Sequence, residues 1–308
     1  MKKTLYWGMR YGKAFSPAHI TGFFTIQDAS VYPEQSGSTG AGFCISAGTL
    51  TRVVRRSARK KTVVKINGSV ADAPVSLKTV SLFFETAGLC PEPLSVRHYV
   101  SAPQGAGFGT SGSGALSLAF ALNRLYGFPL SEDRAAAVAH SADVLCKTGL
   151  GTVVGERKGG FELRLKPGTP PYGEIDGFSP ERPLYAVFVL FGPLSTVGSL
   201  SDPKIRADIN RNGEAHLQRL REEPTPERFL EEASHFSEEV NLFSQNGLKA
   251  ADLIRKLGYR PAMLMFGDGI YTFCNTRKEA QNLRKILKKN FKNDILISKI
   301  CSRGARIL

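Results

Sequence analysis

The stretch PQGAGFGTSGSGALSLAFALN, residues 103–123, carries glycine at positions 105, 107, 109, 112 and 114 and then turns abruptly apolar. Glycine weakens regular structure, so bare backbone at this density must serve a close approach or a left-handed conformation. Upstream, LSVRHYVSA (94–102) reads as a strand; downstream, residues 112–126 read as a buried helix ending before Gly127 and Pro129. A glycine loop between a strand and a helix aims successive N–H groups and the positive end of the helix dipole at one point. That arrangement suits an anion.

Named phosphate loops divide on their spacing. Walker A needs a lysine after its last glycine, and none follows here. GFGTSG (107–112) matches G-x-G-x-x-G, but a dinucleotide site also needs a second strand ending in an acidic residue about 20 positions on. In that place Glu132 and Asp133 open a helix. A purely structural turn leaves the hydroxyls of Thr110, Ser111 and Ser113 unexplained; they read as pointing the same way.

The chain has 308 residues, 42% hydrophobic and 22% charged, with a formal charge of +14. This is the balance of a globular protein with room for a substantial core. No apolar run approaches a membrane span, and MKKTLYWGMRYGK lacks the apolar stretch of a signal peptide. The five cysteines are scattered and never in CxxC spacing, as expected of reduced thiols in the cytoplasm. Lysine and arginine crowd residues 277–308. They read as a solvated helix face on a protein handling anionic metabolites; nucleic-acid binding is the rival, without an RRM, KH or finger signature to support it.

Strands and helices alternate in both halves, giving an α+β expectation of two domains, 1–178 and 179–308. KTVVKINGSV (61–70) and TVSLFFETAG (79–88) read as β-like runs, and GTVV with FELRL as a hairpin around ERKGG. Helices are expected near 132–147, capped by Ser131, and near 202–222, 226–244, 248–257 and 277–291. KPGTPPYGEIDGFSPERP (166–183) is turn-rich and marks the boundary. PLYAVFVLFGPL reads as a buried strand, PAMLMFGDGIYTF as a hairpin and DILISKI as a final strand.

PQGAGFGTSGSGAL resembles the second motif of the GHMP kinases, Pro-x-x-x-Gly-Leu-Gly-Ser-Ser-Ala, with Pro103, Gly107, Gly109, Thr110 and Ser111 in its places and Phe108 for the leucine. AFSPAHITGFFTIQD (14–28) is similar to the first motif, with His19 where relatives often carry a basic residue, and RPAMLMFGDGIYTF (260–273) is loosely similar to the third. The resemblance implies a ribosomal-protein-like α/β domain followed by a ferredoxin-like domain. It also implies ATP and Mg²⁺, with the triphosphate held by Pro103, Gly105, Gly107, Gly109, Thr110, Ser111, Gly112 and Ser113, and the metal by Ser111 among others.

PAHITGFF, GSTGAGF, GFGTSGSGAL, AHSAD, TGLG and GPLST resemble the archaeal pantoate kinases more narrowly. That likeness implies pantoate contacts from Ser38, His140, Arg164 and Thr196, with His19 nearby. It also implies a magnesium ligand and catalytic role for Asp143, where the family has glutamate. By spacing, His140, Asp143 and Lys147 share one helix face, which an ordinary solvated stripe would also produce; Lys147 is read as solvated. After TGLG the family usually has aspartate, a candidate base, where this chain has Thr152. A threonine hydroxyl is no base near neutral pH, so the chemistry proceeds without one, another group serves, or activity is impaired.

Three rivals stay open at this level: a GHMP kinase for a homoserine- or mevalonate-type alcohol, a nucleic-acid-binding relative, and a dead relative that keeps ATP. A homodimer is possible; no membrane partner is expected.

Overall fold

A computed structural model describes residues 9–57, 61–192 and 203–308. Among these residues the chain builds two sheets. The first is assembled on a long antiparallel pair, β1 (Gly12–Phe24) and β2 (Gly40–Arg55). The far half of β2 pairs with β5 (Leu94–Val100), which pairs in parallel with β3 (Val63–Ile66); β3 pairs with β4 (Ser69–Val70). The near end of β2 pairs with β6 (Phe161–Lys166), and β6 with β7 (Glu174–Phe178). The second sheet runs β11 (Asp294–Lys299), β8 (Tyr185–Gly192), β10 (Asp268–Cys274), β9 (Ala262–Met263). The C-terminal β12 (Arg306–Ile307) returns to the edge of the first sheet and pairs with β1.

Helices α1 (Pro74–Ala87), α2 (Thr110–Leu125), α3 (Glu132–Leu145) and α4 (Thr152–Lys158) fall between strands of the first sheet. Helices α5 (Pro203–Glu222), α6 (Pro226–Val240), α7 (Gln245–Lys256) and α8 (Arg277–Asn290) fall among those of the second. The cap expected at Ser131 is made, and Thr225 and Thr276 cap their helices in the same way: each side chain accepts from the backbone N–H three residues on. One apolar cluster joins the first sheet to α1, α2 and α3. Another gathers Phe43 and Phe161 of the first sheet with Phe188 and Tyr271 of the second and Phe229 of α6.

Three local expectations are corrected. TVSLFFETAG lies in α1, whose start is set by Pro74 in the first turn and whose end is set by left-handed Gly88. Buried Val75, Thr79, Val80, Phe83 and Phe84 follow helical spacing, so tertiary packing overrides their β-propensity. GTVV begins α4 rather than a strand, with Val153 buried in the helical core. Within the turn-rich 166–183, residues 174–178 form β7 on the edge of the sheet. The basic C-terminal helix buries Ala280, Leu283 and Leu287 and leaves its lysines in solvent, as a solvated face should.

Candidate active site

The glycine loop leaves β5 and is pinned by its one large apolar side chain. Phe108 is 1% exposed and lies 5.0 Å, centroid to centroid, from Phe188 of the second sheet. The His19 backbone N–H donates to the Phe108 carbonyl at 3.2 Å, tying the loop to β1. Gly107 has a φ of 81°, and a Cβ there would collide with the carbonyl of Met265 in the turn between β9 and β10. The third glycine-rich segment thus supports the second. Gly109 sits at the helix N-cap with φ 62°. A Cβ on it would strike the methyl of Thr152, and one on Gly112 would lie 3.1 Å from Glu156 Oε2.

No side chain caps α2, so the N–H groups of its first turn remain available to an anion. Thr110 and Ser111 are half-buried in that turn. Ser113 is turned to the sheet: its hydroxyl is fully buried and shares a 2.7 Å hydrogen bond with Thr49 Oγ1. Gly105 (φ 70°) and Pro103 flank the exposed start of the loop.

Helix α3 brings two residues to the next wall. Asp143 is 2% exposed, and its Oδ1 accepts from the Thr148 hydroxyl. Burial pushes its carboxyl up to about 6 against the opposing pull of Thr148. Its Oδ2 faces Gly149, where a Cβ would collide with it and lie 3.4 Å from Thr152 Oγ1. His140 is buried, with Nε2 2.8 Å from the Ser36 carbonyl. A carbonyl only accepts, so Nε2 carries the proton; burial holds the ring's pKa down. His140 therefore anchors the segment before β2. Lys147 lies past the end of α3 and is exposed.

A buried polar cluster forms where β2, β6 and the start of α4 meet. Arg164 is 3% exposed and donates from Nη1 to Glu162 Oε1, while its Nε has no partner. A Cβ on Gly151, the N-cap of α4, would strike Ser38 Oγ and come within 2.8 Å of Arg164 Nε. Ser38 and Arg164 thus converge on one spot. His19 does not join them through an open side chain. Its ring is wedged against Gly42 and Gly155, with Nε2 2.9 Å from Glu162 Oε1. Thr196 lies outside the described residues.

Two buried acids escaped the sequence reading. Glu162 follows from strand alternation, since it stands two residues before Arg164 on the same face of β6. Glu156 stands one helical turn after Thr152, fully buried against Gly109 and Gly112, with no side-chain partner for either carboxyl oxygen. Burial, then Asp143 and Glu162, hold its pKa well above the usual range.

Among the described residues no group of three or more His, Cys, Asp or Glu side chains forms a metal cage. The donors on hand are hard oxygens, Ser111 and Asp143, beside free helix amides. That set fits Mg²⁺ shared with a polyphosphate, since Mg²⁺ favours one or two carboxylates plus substrate oxygens.

The family model described as the GHMP kinases N terminal domain matches residues 74–152, which span the loop and reach Thr152. The pantoate kinase of Thermococcus kodakarensis is 34% identical over 89% of this chain and 91% of its own. That of Methanocaldococcus jannaschii is 28% identical over 89% and 96%. A solved phosphotransferase related to the CoA biosynthesis pathway superposes with a TM-score of 0.85 at 30% identity, covering 97% of this chain and 98% of that one. MDDEF, solved with MVAPP, AMPPCP and magnesium, shares the fold at a TM-score of 0.78 and 18% identity, with the same coverage. No helix among the described residues is long and apolar enough to cross a membrane.

Proposed function

This chain belongs to the pantoate kinases of the GHMP kinase family, ATP-dependent small-molecule kinases, and we propose that it moves the γ-phosphate of ATP onto the primary hydroxyl of (R)-pantoate, giving 4-phosphopantoate. One observation carries the reading. The start of helix α4 touches the Arg164 cluster and the glycine loop through two consecutive residues: Gly151 abuts Ser38 and Arg164, and Thr152 abuts Gly109 and Gly112. A triphosphate on the loop and a small acid on Arg164 would therefore meet across the start of one helix.

The amides at the head of α2, with the Thr110 and Ser111 hydroxyls, would hold the triphosphate. Ser111 and Asp143 would hold Mg²⁺, which when bound neutralises charge on the transferring phosphoryl group. Arg164 and Ser38 would grip the carboxylate, and His140 would fix the segment that carries Ser38. Thr152 cannot remove a proton near neutral pH. The loose transition state of phosphoryl transfer tolerates this, because it depends on positioning and charge neutralisation more than on deprotonation. The reading puts the enzyme in the cytoplasm, in keeping with its free cysteines.

The test is ATP consumption with pantoate, pantothenate, homoserine and mevalonate offered separately. Turnover should be confined to pantoate, with 4-phosphopantoate as product. Preferential turnover of homoserine or mevalonate would replace the substrate while keeping the reaction class.

A further inference from the structure

Glu162 is completely buried, on β6, in the wall behind the proposed substrate pocket. One of its oxygens, Oε1, faces two donors: Nη1 of Arg164 and Nε2 of His19, the latter at 2.9 Å. The guanidinium is a rigid planar fork with five donors, so holding one terminal nitrogen fixes the direction of all the others. Here it leaves Nε unpartnered, turned toward Gly151 and Ser38 Oγ. His19 is itself immobilised, because Gly42 and Gly155 close on its ring more tightly than any residue with a Cβ could. Glu162 is thus held in place by His19 and in turn holds Arg164.

We propose that Glu162 is the positioning residue for acidic-substrate recognition: it orients Arg164 so that the Nε side of the fork, beside Ser38 and the bare backbone of Gly151, is the side presented to the carboxylate. The inference rests on the pantoate reading for the identity of the acid, but on this geometry alone for the recognition of a carboxylate. A buried arginine without an acidic partner loses the orientation of its fork and bears an uncompensated charge. With Glu162 present, the pair is balanced before substrate arrives, and the incoming carboxylate supplies a second anion to a guanidinium that is already aimed.

The experiment measures binding of pantoate and of a non-hydrolysable ATP analogue to the wild type, Glu162→Gln and Arg164→Lys, and to the double variant. Glu162→Gln should weaken pantoate by at least about tenfold, within the range of a lost charge-assisted contact, and shift the ATP analogue by less than about threefold. In the Arg164→Lys background the same change should add little, because the residue through which it acts is gone. Arginine side-chain NMR supplies a second readout: pantoate should move the Arg164 Nε–H signal in the wild type and not in Glu162→Gln. Should Glu162→Gln fail to fold, His19→Phe removes one of the donors that hold Glu162 and should weaken pantoate selectively.

Unchanged pantoate affinity in Glu162→Gln, or equal weakening of pantoate and nucleotide, overturns the proposal. Failure of the substrate reading looks different. The wild type would then ignore pantoate while consuming ATP with another hydroxy acid, and the same variants would be compared on that acid.

Discussion

His140 donates its Nε2 proton to the carbonyl of Ser36, at 2.8 Å and across 104 residues of sequence. The bond joins α3 to the segment that delivers Ser38, which gives the ring a structural role. Burial lowers the ring's pKa, against the opposing pull of that bond. His140→Gln should raise KM for pantoate, while the pH–rate profiles of variant and wild type run parallel between pH 6 and 8. An acid limb near pH 6.5 present only in the wild type would show that His140 is the base after all.

Ser111→Ala and Asp143→Ala should each lower kcat on pantoate by at least about 10²-fold, as expected when a metal-centred charge clamp is broken. Steady-state kinetics at saturating Mg²⁺ decides it. Turnover near the wild-type rate in Asp143→Ala would remove that residue from the metal site.

Asp143 should also leave a mark on stability. Its carboxyl rises from an ordinary 3.8 to about 6 because it is buried. The folded state therefore keeps this proton over a range where the unfolded chain has lost it. The favourable contribution is complete below about pH 4 and lost as pH rises through 6, a change on the order of 3 kcal/mol. Denaturant unfolding without divalent metal, from pH 4 to 7, should show wild-type stability falling relative to Asp143→Asn by an amount of that order. A constant difference between the two proteins would contradict the assignment.

Thr152→Ala should change kcat by less than about tenfold, well short of the loss of a general base. The restoring substitution, Thr152→Asp, should not raise activity. The Thr152 methyl already touches Gly109 and Gly112, and an aspartate there would press a new charge against the loop beside buried Glu156. Its melting temperature should fall. Higher kcat with unchanged stability would mean that the pocket still accommodates the family's carboxylate. A large loss from Thr152→Ala with binding intact would instead make the hydroxyl an orienting group for the substrate alcohol.

What the chain determines locally was legible in its letters. Helix starts at Ser131, Thr225 and Thr276 are written by capping residues, and left-handed turns at Gly105, Gly107 and Gly109 by residues without a Cβ. The anion cradle follows from those glycines and the helix behind them, and the three motifs in order point to the fold. Tertiary packing decided the rest. Residues 79–88 and 152–154 carry β-branched and aromatic side chains whose helical state depends on the core that receives them. Gly109 is required by its left-handed φ and by Thr152, some 40 residues later, which comes to lie against it, and Gly112 is closely packed by Thr152 and Glu156. The Ser113 hydroxyl turns to Thr49, His19 retires behind two glycines, and Glu162 aims Arg164. Backbone conformation and capping are short-range and can be read along the chain. The direction in which a buried polar side chain points is set by partners that only folding brings within hydrogen-bonding distance.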